Sequence, residues 1–101
     1  MDRGIYQKSK SLGVQKNYFV EFENKEYITI KIALPGENDV DIIKIVMHKD
    51  VLKINYPGNT FTDEFYYYYR VDVPIIKRET YAELKDGVLT IKIKKDLEII
   101  K

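Results

Sequence analysis

The side chains that could carry out chemistry are few in this sequence. There is one histidine, His48, and no cysteine, which removes histidine metal sites, thiolate nucleophiles and disulfides. An acidic cluster at Glu37, Asn38, Asp39 and Asp41 offers oxygen ligands for calcium, but it lacks the glycine and the distal glutamate of an EF-hand loop. No phosphate-binding glycine loop or nucleophile elbow is present. We expect a solvated acidic loop, an exposed His48, no metal, no cofactor and no enzymatic activity.

A run of four tyrosines, Tyr66 to Tyr69, is the second unusual feature. On a strand, successive side chains point to opposite faces, so one pair should join the core with Phe65, Val71 and Val73. The other pair is then exposed or lies against another chain, since tyrosine suits interfaces. Stacking of nucleic-acid bases is the competing interpretation, and it needs a basic groove beside the rings. The net charge is only +1, from 17 basic and 16 acidic residues, so we expect no nucleic-acid partner.

Length and composition bound the kind of protein. A chain of 101 residues with 45% hydrophobic and 33% charged residues is typical of a single globular domain. No apolar segment approaches the roughly 18–20 residues of a membrane helix. The first residues are polar and basic rather than signal-like. We therefore expect a cytoplasmic protein that is not bound to a membrane.

The elements that must position these residues are strands. Apolar and polar residues alternate from residue 17 onward, which is typical of half-buried strands. Segment 78–85 is ambiguous with a helical turn, but Asp86-Gly87 after it predicts a hairpin, with Gly87 at positive φ. The predicted inward sets are Ile28, Ile30, Ile32 and Leu34, and Leu89, Ile91 and Ile93. The predicted strands are 18–22, 27–34, 43–47, 51–56, 65–73 (ended by Pro74), 78–85 and 88–94.

About seven short strands with turns every 8–12 residues predict an all-β fold, an antiparallel sandwich. Three stretches, in the right order, resemble the α-crystallin domain of small heat-shock proteins. They are Leu34-Pro35-Gly36 followed by Asp41-Ile42, then Val73-Pro74, and then Ala82 with Gly87-Val88-Leu89. Residues 1–16 show no sustained period, and we expect them to form a flexible N-terminal arm. The resemblance covers residues 17–95 as an α-crystallin-like domain and leaves 96–101 as a short C-terminal tail.

The resemblance implies an immunoglobulin-like sandwich and an ATP-independent holdase. Such a protein takes part in stress responses by binding partly unfolded proteins and limiting their aggregation. Members of the family self-associate, and an Ile-x-Ile-like tail can bind a neighbour's groove between two edge strands. The matching strands here place Ile43, Ile45, Met47 and Tyr81 in that groove, and Leu97 and Ile99 in a possible tail.

Two departures from the family pattern, and one feature that is independent of it, keep alternatives open. Only residues 57–64 separate two strands where microbial members carry a swapped strand, which favours a CS-domain-like co-chaperone or adaptor as an alternative. Tyr69 occupies the position of the family's arginine, with Arg70 on the other face. Lysines that alternate with aromatic residues leave a single-stranded nucleic-acid-binding β-barrel as a third alternative.

The predicted tail joins the last predicted strand through a very short linker. Only Lys95 and Asp96 separate residue 94 from Leu97, and two extended residues span only about 7 Å. We therefore expect residues 97–101 to extend the final strand or to fray rather than to exchange with another chain. A dimer or monomer is then expected in preference to a large oligomer.

Overall fold

The structure is a computed structural model, and it describes residues 19–100, with the backbone alone at residues 99 and 100. The predicted arm 1–16 and Tyr18 therefore lie outside the described residues. Two short 3₁₀ turns, Val40–Ile42 and Lys77–Glu79, and a terminal helical turn α1 at Leu97–Ile100 accompany the strands. The strands are β1 (Phe19–Glu23), β2 (Tyr27–Ala33), β3 (Lys44–His48), β4 (Val51–Tyr56), β5 (Phe65–Arg70), β6 (Tyr81–Lys85) and β7 (Val88–Lys94).

The strands form two antiparallel sheets, one in the order β1-β2-β7-β6 and the other in the order β3-β4-β5. The predicted all-β sandwich of about seven strands is therefore confirmed. The predicted bounds of β4 and β7 match the structure. The predicted strand 78–85 is right only in its second half, because Lys77–Glu79 forms a 3₁₀ turn before β6 begins.

The core lies between the sheets and consists of the predicted alternating sets. In the register of β2 with β7, Ile28 faces Ile93, Ile30 faces Ile91 and Ile32 faces Leu89. All six side chains, together with Leu34, are at most 2% exposed. Because both strands alternate with period two, their apolar side chains share the inner face of the sheet.

The tyrosine run divides as its alternation predicts. Tyr67 and Tyr69 are buried in the core with Phe65, while Tyr66 and Tyr68 point outward. The predicted end of this strand at residue 73 is wrong, because β5 stops at Arg70. Its partner β4 begins at Val51, opposite Arg70, so the ladder has no further strand residue with which to pair. The next amide, at residue 71, donates to the Asp50 carbonyl at 2.7 Å.

The turn between β6 and β7 is the predicted Asp-Gly hairpin. Asp86 has φ +52° and Gly87 has φ +75°, the pair of left-handed conformations that a type I′ turn requires. A Cβ atom on Gly87 would lie 3.2 Å from the Leu34 carbonyl oxygen. Glycine is therefore favoured both by its backbone angle and by close packing.

The C-terminal segment does not extend the final strand, contrary to one of the two outcomes expected for it. The final strand ends at Lys94, opposite the first residue of β2. Lys95 still donates its amide to the Glu26 carbonyl at 2.9 Å and forms an isolated bridge with Ile75. Asp96 donates its amide to the Pro74 carbonyl at 2.9 Å and accepts from the Glu98 amide through Oδ1 at 3.2 Å. Residues Leu97–Ile100 then form a helical turn, so the predicted strand extension through Leu97 and Ile99 is wrong.

Candidate functional site

The sandwich has two sides along which the edge strands of its two sheets face each other. Aromatic rings close one of these sides. On this side β1 lies against β5. The Phe19 ring stacks on Tyr67 at 5.0 Å between centroids and meets Phe65 edge-on at 5.4 Å. The Tyr67 hydroxyl donates to the Glu21 carboxylate. These contacts leave little apolar surface available between β1 and β5.

The opposite side, between β3 and β6, is an open groove of about 290 Å³. Leu52 and Ile91 form its floor and are each 1% exposed. Its partly buried walls come from Ile45 and Met47 on β3 and from Ala82 on β6. Its mouth is lined by Lys77, Thr80 and Tyr81. The groove is therefore apolar inside and polar at its entrance.

Short side chains and edge positions explain why this side stays open. Ala82 is the β6 residue that faces into the groove, and its methyl group cannot fill the gap that the rings fill on the other side. Both β3 and β6 end their sheets. An edge strand has backbone N–H and C=O groups on its outer side without a ladder partner, and such groups can pair with another chain.

Hydrogen bonds of the Thr80 side chain hold the backbone at the mouth of the groove in place. Its hydroxyl donates to the Ile76 carbonyl at 3.1 Å and accepts from the Lys94 amide at 3.2 Å. These bonds tie the 3₁₀ turn to β7 just before β6 begins. Tyr81 is consequently held at the entrance with half of its side chain exposed.

Three of the four groove residues predicted from the sequence come together, namely Ile45, Met47 and Tyr81. The fourth, Ile43, does not line the groove: it precedes β3 and is buried in the core. Sequence reasoning missed Leu52 and Ile91 as the floor of the groove. Their alternation marked them as inward, but strand order is what places them under the edge strands.

The Leu34-Pro35-Gly36 and Gly87-Val88-Leu89 motifs, which carry much of the family resemblance, meet at one end of the sandwich and in the core. The Leu34 amide donates to the Gly87 carbonyl at 2.7 Å, and Val88 pairs with residue 33 of β2. Leu89 is a core residue. Gly36 adopts φ +83°, and a Cβ there would overlap the Phe61 ring at 2.7 Å. Pro35 accepts from the Asn59 side-chain amide at 3.0 Å.

The acidic loop was expected to be solvated throughout, and for Glu37 this expectation is wrong. Its side chain is 8% exposed and accepts from the Tyr56 hydroxyl at 2.5 Å and from the Asp39 amide at 3.1 Å. The Tyr56 hydrogen bond is the main reason that the pKa of Glu37 lies below its usual value. Burial, and then the neighbouring carboxylate, raises the pKa of Tyr56. Asp39 and Asp41 are exposed, as predicted for this loop.

In residues 19–100 no three His, Asp or Glu side chains are grouped so as to hold a metal ion. None of the helical segments in that range is long and apolar enough to cross a membrane. His48 is exposed at the end of β3, as predicted.

Comparison with known proteins gives a match of fold rather than of sequence. No protein-family model and no curated protein matches the sequence. A small heat-shock protein from Xylella fastidiosa aligns with a TM-score of 0.67 at 19% identity, covering 79% of this chain and 85% of that one. Heat shock protein 16.0 from Schizosaccharomyces pombe aligns at 0.66 and 13% identity, covering 86% and 72%. The Del-C4 mutant of Sulfolobus hsp14.1 aligns at 0.59 and 20% identity, covering 79% and 75%.

These alignments and the two-sheet topology define the class of fold. It is an immunoglobulin-like β-sandwich of the α-crystallin type. The chain has the fold of the small heat-shock protein domain, and the resemblance in its sequence motifs is confirmed at the level of the fold.

Proposed function

We propose that this protein is an ATP-independent holdase that binds partly unfolded proteins and limits their aggregation. The observation that supports it most directly is the open apolar groove between β3 and β6. Leu52 and Ile91 lie at its floor, where a client side chain would be removed from water. Nothing in this mode of binding needs a nucleotide or a cofactor.

The groove suits an extended client segment. Alternate side chains of such a segment would enter the space between Met47 and Ala82, and its backbone would pair with the free edge of β3 or β6. The groove is small, and association costs translational and side-chain freedom, so we expect it to bind weakly and reversibly. Weak binding of many exposed apolar segments is what a holdase requires.

Self-association as a dimer is part of the proposal. The connection 57–64 is folded back on this chain: Asn59 accepts from the amides of Phe61 and Thr62 at 2.7 and 2.8 Å, and its side-chain amide donates to the Pro35 carbonyl at 3.0 Å. This connection holds no strand between β4 and β5 that a partner could receive. Pairing along an edge strand is therefore the route that we propose.

The test is suppression of heat-induced aggregation at an equimolar ratio and without ATP. We expect protection of several heat-labile clients, followed by light scattering. Met47→Lys should abolish most of the protection because it places a charge between the apolar walls. Val46→Lys on the same strand is the matched control, since Val46 points outward and is 44% exposed. Equal loss in both variants, or no protection by the unmodified protein, would contradict the proposal.

The short connection 57–64 also favours a second candidate, a co-chaperone or adaptor resembling CS domains. An adaptor would be a monomer that binds a folded partner and leaves heat-labile clients unprotected. Light scattering from the aggregation assay and the solution mass therefore separate the two functions.

A further inference from the structure

The outward strand positions of the three-stranded sheet carry no acidic side chain. Three of these positions are basic and two are tyrosines. Asp50, in the turn between β3 and β4, lies 3.3 Å from Arg70, and Glu64, directly before β5, is exposed. We call this surface the tyrosine–lysine face. Its outward residues are Lys44, Val46, His48, Val51, Lys53, Asn55, Tyr66, Tyr68 and Arg70.

The two tyrosines are arranged as neighbouring platforms. Tyr66 and Tyr68 are 45% and 40% exposed and stand two residues apart on one strand, about 6.7 Å along its axis. The register places Lys53 directly opposite Tyr68, and its Nζ lies 6.0 Å from the centre of the Tyr68 ring. Lys44 completes a shallow depression of about 310 Å³ on this face.

Exposed aromatic rings beside lysines are what single-stranded nucleic acid uses on a sheet surface. Bases stack on aromatic rings irrespective of sequence, and lysines contact the phosphates. An acidic peptide would use the lysines but would gain little from two adjacent flat rings. We infer that the tyrosine–lysine face binds single-stranded nucleic acid weakly and without sequence preference.

The near-neutral net charge of the chain does not describe this face. Lys44 and Lys53 form no ion pair with any carboxylate of residues 19–100. The acidic residues lie mainly in the turns and at the strand ends, as Asp50 does. The expectation of no nucleic-acid partner was based on the total charge of the chain. The fold separates the basic residues of this face from most of the acidic residues, so the total charge does not argue against binding here.

The test is fluorescence anisotropy of labelled twelve-residue oligo-dT and oligo-dA, titrated with the full chain at rising salt. With three phosphate contacts, log K should fall against log salt with a slope of about −2. The double variant Tyr66→Thr/Tyr68→Thr should weaken binding at least about tenfold, and Tyr66→Phe/Tyr68→Phe should retain it. Lys44→Gln/Lys53→Gln should reduce the slope by about 1.4.

Matched controls lie on the opposite sheet. Phe22→Thr and Lys31→Gln alter an exposed aromatic ring and an exposed lysine there, and they should leave the affinity unchanged. Thermal unfolding shows whether each variant is folded. The inference is overturned by absence of binding at low salt, or by equal weakening in the controls. It is also overturned if poly-glutamate competes fully and the threonine variants bind normally, which would indicate a site for acidic chains instead.

Discussion

The backbone amide of Leu34 donates a 2.7 Å hydrogen bond to the carbonyl of Gly87. This bond joins the turn after β2 to the hairpin turn between β6 and β7, two motifs that lie far apart in the sequence. A Cβ on Gly87 would approach the Leu34 carbonyl oxygen to 3.2 Å. The glycine is thus constrained by a partner that no local pattern identifies.

Gly87→Ala should therefore lower the free energy of unfolding. A left-handed conformation costs a residue with a side chain about 1–2 kcal/mol, and the contact with Leu34 adds to this cost. Gly87→Asn should lose less, because asparagine tolerates this conformation better. Urea denaturation measures both, and an unchanged midpoint in the alanine variant would show that the turn relaxes freely.

Phe19→Ala should open the closed side of the sandwich. The ring contacts Phe65 and Tyr67 but is only partly buried, so we expect a loss of about 2 kcal/mol, below the 3–5 kcal/mol of a fully buried phenylalanine. Phe22→Ala on the same strand is the control. Phe22 points outward and is 50% exposed, so its removal should change stability by less than about 0.5 kcal/mol.

Glu37 should make stability depend on acid pH. Its pKa is lowered from 4.5 in the folded state, chiefly by the Tyr56 hydroxyl. The unfolded chain therefore binds a proton more readily, and the stabilisation is present above pH 4.5 and is lost as the pH falls through the folded-state pKa. Urea midpoints from about pH 5 to pH 3 should fall less in Glu37→Gln than in the unmodified protein.

Tyr56 provides the complementary measurement at alkaline pH. Its pKa is raised from 10.0 in the folded state, first by burial and then by Glu37. The folded protein thus retains the hydroxyl proton where the unfolded chain loses it, so stability should decline as the pH rises above 10. Tyr56→Phe should remove this decline and should also reduce the acid dependence. Unchanged profiles at both extremes would mean that the pair does not control stability.

Deleting residues 97–101 should leave the solution mass unchanged. The preceding residues are held within the chain: Lys95 Nζ donates to the Asn24 carbonyl at 2.8 Å and pairs with Glu23 at 2.5 Å, and the Asp96 amide bonds to Pro74. Two anchored residues cannot carry Leu97 to a partner's groove. Analytical ultracentrifugation measures the mass, and a fall from a large assembly to dimers would show that the tail is exchanged.

Deleting residues 95–101 is the matched comparison for this experiment. It removes Lys95, which is 9% exposed, together with its contacts to Asn24 and Glu23. The longer deletion should lower the melting temperature, whereas the shorter one should not.

Most of the strands could be predicted from the sequence because alternation is a local property. Ile28 to Leu34 and Leu89 to Ile93 alternate without interruption, and a strand with one buried face specifies its own inward set. The ends of the strands are harder to predict from the sequence. The strand that begins at Phe65 stops at Arg70 because β4 has no further residue to pair with it. The length of the partner strand cannot be read from the segment itself.

The sequence by itself determined the sandwich, the inward side chains and the Gly87 turn, because alternation and turn chemistry act between near neighbours. Only the tertiary structure decided which edge strands face one another. It placed Phe19 over β5, so that one side is closed, and left Ala82 opposite β3, so that the other side is a groove. It also placed Lys44, Lys53 and two tyrosines together on the outer face of the three-stranded sheet, where no strand position is acidic. Both results depend on strand order and packing between residues that are distant in the chain, which no local pattern records.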